Sequence, residues 1–137
     1  MRLLLLLGLG LLFSFKMNAQ ELSCADFKEG TFYIEGNVAG KPFRYDLVRY
    51  SDFQEEYYSP GVPIKVDIKW IGECSYVLSK NPADPDFGEI DKQINDWGGI
   101  VVELVRIEDN CYYFTSLFKV TETHSERMDG KICKDEI

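Results

Sequence analysis

The run Ile64-Lys65-Val66-Asp67-Ile68-Lys69-Trp70 decides the fold class. Apolar residues fill its even positions and charged residues its odd ones, which is the period of a strand with one buried face. Past Gly72, the residues Cys74, Tyr76 and Leu78 alternate in the same way. Both sets face one core only if the connecting loop holds an odd number of residues, because a one-residue slip reverses every side chain. A three-residue loop over residues 71–73 meets that condition. It sets Trp70 opposite Cys74, Ile68 opposite Tyr76 and Val66 opposite Leu78.

The same pattern recurs on both sides. Asp109 and Asn110 both tolerate positive φ and mark a two-residue hairpin turn. That turn pairs Ile107 with Tyr112, Val105 with Phe114 and Val101 with Phe118 on one face, and leaves Cys111 on the other. Upstream, Phe43, Tyr45 and Leu47 alternate with Arg44 and Asp46, and Ser51 with Asp52 turns the chain into a strand over 53–58. A first strand spans 31–35 and ends at Gly36. The segment 84–99 breaks the pattern. Asp86 and Glu89 stand at capping-box spacing, Phe87, Ile90, Ile94 and Trp97 follow at helical intervals, and Gly98 with Gly99 supplies a stop. The expectation is one short helix near 86–97 across an end of the sheet. Beyond Thr121 the patterning is thin, with Ile132 and Cys133 in a last strand.

These elements predict an all-β domain, an antiparallel meander of about seven or eight strands. Twist and the need to protect edges favour a small barrel or a strongly twisted sheet, with a sandwich as the alternative. The chain of 137 residues is 45% hydrophobic and 14% aromatic, which excludes a disordered chain. Fifteen Lys+Arg against 23 Asp+Glu give a net charge of -8. Affinity for a phosphate backbone rests on basic residues, so no nucleic-acid partner is expected.

The first residues read as a leader. Met1 and Arg2 precede an apolar run ending at Lys16, and Ala19 supplies a small residue for cleavage, the organisation of a secretory signal peptide over 1–19. The apolar run is shorter than the roughly 18 residues of a membrane span. The expected mature protein is a single domain, 20–137, secreted or periplasmic. Without Arg2 and Lys16 it keeps 13 Lys+Arg against 23 Asp+Glu, a charge of -10. Cys24, Cys74, Cys111 and Cys133 all fall in this part, and an even count in an exported chain reads as two disulfides with three possible connectivities. No C-x-x-C pair supports a zinc site.

Candidate sites carry competing structural readings. A tight turn at Ser51 and Asp52 brings Arg49 beside Gln54 with Glu56 on the diagonal. Such a trio grips a polar ligand or braces its own hairpin by about 0.2–1 kcal/mol per pair. Trp70, Tyr76, Tyr112 and Phe114 are inward aromatics that line a pocket or fill a core. Glu122, His124 and Glu126 share a face if extended, yet one imidazole is a thin ligand set, and no metal is expected. His124 is the only histidine in the chain, and no G-x-S-x-G elbow is present, so no catalytic centre is expected.

Three motifs in order carry a resemblance: Cys24, Phe27, Lys28, Gly30 and Phe32 (C-x-x-F-K-x-G-x-F), then Arg49, Gln54 and Glu56 (R-x4-Q-x-E), then Trp70, Cys74, Tyr76 and Leu78 (W-x3-C-x-Y-x-L). Over this stretch the chain resembles small uncharacterised secreted proteins of Bacteroidetes-type bacteria, some of which carry the name DNA topoisomerase IV. That name does not fit a chain with no Gly-rich phosphate loop and an acidic charge. Gly30, Thr31 and Phe32 add a fainter lipocalin-like likeness, with Phe where that family has Trp. The resemblance implies no activity, but placing Cys24 and Cys74 in two of its motifs implies that they bond, leaving Cys111 with Cys133.

Together these readings give an exported, non-catalytic binding module without a cofactor. Its expected ligand is a small amphipathic molecule among the inward aromatics. The alternative is a protein–protein or envelope-assembly component using Tyr50, Tyr57, Tyr58 and nearby acids. A small hydrolase built on a carboxylate pair comes third.

Overall fold

The computed structural model describes residues 21–59 and 61–135. The expected signal peptide and its cleavage point lie outside them. The elements are β1 (Gly30–Val38), β2 (Lys41–Arg49), β3 (Phe53–Tyr57), β4 (Ile64–Trp70), β5 (Ser75–Ser79), α1 (Glu89–Asp96), β6 (Ile100–Glu108), β7 (Cys111–Lys119) and β8 (Ser125–Lys134), with a 3-10 turn over Cys24–Phe27 ahead of them. All eight strands pair antiparallel with their sequence neighbours, and β1 pairs with β8 to close a barrel. Closure satisfies the backbone groups that an open edge leaves free. Among the described residues no helix is long and apolar enough to cross a membrane.

The strand faces follow the alternation, with two corrections of register. Trp70 pairs with Tyr76 and Ile68 with Leu78, so the β4–β5 loop is two residues longer than expected. The inward parity survives, because the difference is even. Cys74 is held out of the ladder. It bonds Cys24, while its carbonyl accepts from the Leu104 N–H at 3.2 Å and from the Tyr112 hydroxyl. In the β6–β7 hairpin Ile107 faces Tyr112 as expected, with Asp109 at φ 53° in the turn. A bulge then inserts Val105, so Leu104 and not Val105 meets Phe114, and Val101 meets Leu117 and not Phe118. An extra residue in one strand flips the parity beyond it. Val105 is 59% exposed as a result, while Val102 turns inward against Ser116.

Two further differences concern ends of elements. The helix is shorter than 86–97, and its first turn is capped by Asp91, whose carboxylate accepts the Gly88 N–H at 2.8 Å. Asp86 is not the cap, because it accepts from Lys80 Nζ at 2.8 Å instead. Gly99 ends the segment at φ 86°, where a Cβ would meet the Leu78 carbonyl at 2.6 Å. The last strand is ten residues long, far more than Ile132 and Cys133.

Both disulfides are formed: Cys24–Cys74 ties the 3-10 turn to the β4–β5 loop, and Cys111–Cys133 joins neighbours across β7 and β8. Two such bonds suit an oxidising, extracytoplasmic environment. The 3-10 turn plugs one end of the barrel. Phe27 is fully buried there, 5.8 Å from the Phe32 ring and 5.4 Å from the Tyr112 ring. The helix α1 lies at the opposite end, in the connection between β5 and β6.

Candidate functional site

The phase of β2 explains the polar heart of the barrel. Tyr45, Leu47 and Arg49 share a face, so the inward stripe ends on a guanidinium. The Ser51–Asp52 turn pairs Arg49 with Gln54 as expected, which carries Gln54 and Glu56 inward as well. All three are buried. Arg49 uses each nitrogen: Nε donates to Gln54 Oε1 at 3.0 Å, one terminal nitrogen to the Phe27 carbonyl at 2.9 Å, and the other to the Tyr76 hydroxyl at 3.0 Å. Because guanidinium only donates, the Gln54 oxygen must face it and the Gln54 amino group must face away. That amino group donates to Glu56 Oε1 at 2.6 Å. Gln54 thus relays between a buried cation and a buried anion that do not touch.

The second Glu56 oxygen accepts from the Tyr58 hydroxyl. Tyr58 lies 4.4 Å, ring to ring, from Tyr45. Burial, and next the nearby Glu56 charge, pushes both phenols well above their ordinary pKa. Burial is also the main cause that raises Tyr112.

Between this cluster and α1 lies a cavity of about 370 Å³. Ile34, Val66, Leu78, Ile100 and Val102 line its barrel wall, and Ile94, Asp91 and Asn95 of α1 lie over its mouth. Asn95 holds the helix in place: its oxygen accepts the Lys80 N–H at 3.1 Å and its amino group donates to the Lys80 carbonyl at 2.6 Å. Lys80 lines the cavity, and its Nζ donates to the Lys65 carbonyl and to Asp86, both at 2.8 Å. That bond holds the Asp86 carboxyl below its ordinary pKa. Asp84 lies 4.0 Å from the same ammonium.

The expected site residues therefore divide into two groups. Tyr76, Phe114, Gln54 and Glu56 line the cavity. Trp70, Tyr112 and Arg49 belong to the packed end: Trp70 lies 4.8 Å from the Tyr76 ring, and Tyr112 packs on Phe27. Tyr45, Lys80, Ile94 and Asn95 were not expected. Tyr45 was readable from its phase with Leu47, whereas Lys80 and Asn95 sit in a loop and a helix whose docking no local pattern reports. Of the remaining tyrosines, Tyr50 stacks on Phe53 at 4.4 Å, and Tyr57 donates to Glu55 at 3.0 Å. Glu122 is in the β7–β8 turn, and His124 Nε2 lies 2.7 Å from Glu126 Oε1. Among the described residues no group of three or more His, Cys, Asp or Glu is placed to hold a metal ion.

A second concavity, of about 830 Å³, lies on the outside of the barrel. Arg44, Glu35, Lys131, Tyr113 and Arg106 stand in one transverse row across β2, β1, β8, β7 and β6. Glu35 bridges Arg44 at 2.9 Å and Lys131 at 3.3 Å, and the Arg106 guanidinium lies 4.0 Å from the Tyr113 ring centre.

No known protein family, curated protein or solved structure matches the chain.

Proposed function

We propose that the protein is an exported, non-catalytic carrier or sensor of a small amphipathic molecule held in the cavity beneath α1. The observation that carries this reading is the cavity itself: at about 370 Å³ it exceeds the roughly 300 Å³ at which small-molecule pockets begin. Its wall is mostly apolar, aliphatic and aromatic together, with several polar groups among them, the composition that binds a molecule with one polar end. The two disulfides favour export.

Native mass spectrometry of the protein isolated from its own exporting cells tests the proposal. The expected result is one small adduct per chain that disappears on denaturation. A chain that carries only its own mass counts against it. A retained polypeptide favours a second reading, an envelope or protein-binding component, for which the outer groove with Arg44, Arg106, Arg127 and Lys131 is the specific support.

A further inference from the structure

We infer that the ligand of this cavity is an alkyl or aryl ammonium, with its cation against Glu56 and its apolar part directed toward α1. The inference rests on the carrier reading above and adds the chemistry of the head group. Among the described residues that line the cavity, the acidic and basic side chains are Glu56, Asp91 and Lys80. The Nζ of Lys80 is engaged by the Lys65 carbonyl and Asp86. Arg49 does not line the cavity and is spent on Gln54, Phe27 and Tyr76. Asp91 is at the mouth and is occupied by the Gly88 N–H. An entering anion therefore meets carboxylates and no free cation.

Glu56 has the opposite bias. It is 6% exposed, and each of its oxygens accepts a single hydrogen bond, from Gln54 and from Tyr58. A carboxylate oxygen has two lone pairs, so acceptor capacity remains on both. Tyr45, Tyr58 and Tyr76 line the same cavity, with Tyr58 bonded to Glu56 and its ring 4.4 Å from that of Tyr45. Aromatic faces attract a cation, and a desolvated site strengthens that attraction. A buried carboxylate among phenol rings is thus a seat for N–H donors bearing positive charge. At about 30 Å³ per non-hydrogen atom, taken from liquid water, the space admits about twelve such atoms. That fits an ammonium with a medium chain or a single ring.

Calorimetric titration of the disulfide-intact protein with octylamine, 1-octanol and octanoate, at neutral pH and moderate salt, separates the possibilities. Octylammonium should bind once per chain, at least tenfold more tightly than 1-octanol, with octanoate weaker still. Glu56→Gln should reduce octylammonium to the level of the alcohol and leave 1-octanol within twofold. The amine-to-alcohol ratio on the unaltered protein decides the question even if that variant does not fold. Equal affinity for octylammonium and 1-octanol, tighter binding of octanoate, or a Glu56→Gln protein that keeps its amine preference overturns the ammonium assignment and leaves the carrier reading standing. If none of the three binds, the carrier reading falls and takes this one with it.

Discussion

The two ends of the barrel are closed by opposite means. At one, the 3-10 turn inserts Phe27 with no exposed surface, is bonded through Cys24 to Cys74, and receives a hydrogen bond from Arg49. At the other, α1 has no buried residue and leaves Ile90 74% exposed. It is held by the Asn95–Lys80 backbone pair and by Gln93 donating to the Val120 carbonyl at 2.7 Å. Full burial of a phenyl ring is worth about 1.5–3 kcal/mol, and a disulfide adds about 2–4. A hydrogen bond that water can replace contributes about 1 kcal/mol net. Stability is therefore concentrated at the plug, and the cavity lies at the end that opens at low cost.

The largest expected effect is on the plug. Phe27→Ala should cost about 3–5 kcal/mol in urea unfolding, as for other buried phenylalanines. A loss below 1 kcal/mol would break the contrast between the ends. Replacing Cys24 and Cys74 together by serine should cost about 4 kcal/mol, and Cys111 with Cys133 about 3, because the first pair closes a separation of 50 residues and the second one of 22. Equal losses would show that chain entropy does not set their ranking.

Alkali should act more gently. Tyr45 and Tyr112 hold their protons in the folded state above the ordinary value of 10.0. The unfolded chain sheds them near that pH and so gains on the folded one as pH rises. Stability from these groups is complete below about pH 10 and declines above it by about 1.4 kcal/mol per pH unit for each phenol. Thermal melts from pH 8 to 11 check the direction, and a stability that rises in that window would refute the burial argument. The smallest global effect is expected of Asn95→Ala, about 1 kcal/mol, visible chiefly as faster amide exchange over α1 with Phe27 and its neighbours unchanged.

Much of this plan is legible in the sequence. The alternation of 64–70 and 43–47 and the turns at Ser51–Asp52 and Asp109–Asn110 each report local backbone preference. Register is less so, because the Trp70–Cys74 spacing satisfies parity while a distant disulfide draws Cys74 away. The bulge at Val105 is silent, since Val101, Val102, Leu104 and Val105 are apolar in either phase. β8 hides for a related reason: Lys131 and Arg127 point outward, and one inward position is Gly130, which has no side chain to mark the face. Arg49 shows what pattern reading misses. A charge that continues an apolar stripe looks like its end, whereas here it is the stripe's buried terminus, neutralised from another strand through Gln54. The cavity was the least readable feature, as its walls come from all eight strands and the helix.

The closing seam contains two glycines side by side. Gly36 and Gly130 are partners across β1 and β8, and a Cβ on either would fall within 2.8 Å of the ring of Phe43 or Phe114. Until that seam forms, the first and last strands are free edges, able to recruit the matching edge of another copy. Each phenyl ring needs a bare backbone beneath it, and a displaced pairing puts a side chain there instead. Those two seats therefore pin β1 and β8 to a single register, because a slip along the seam places a Cβ against a ring.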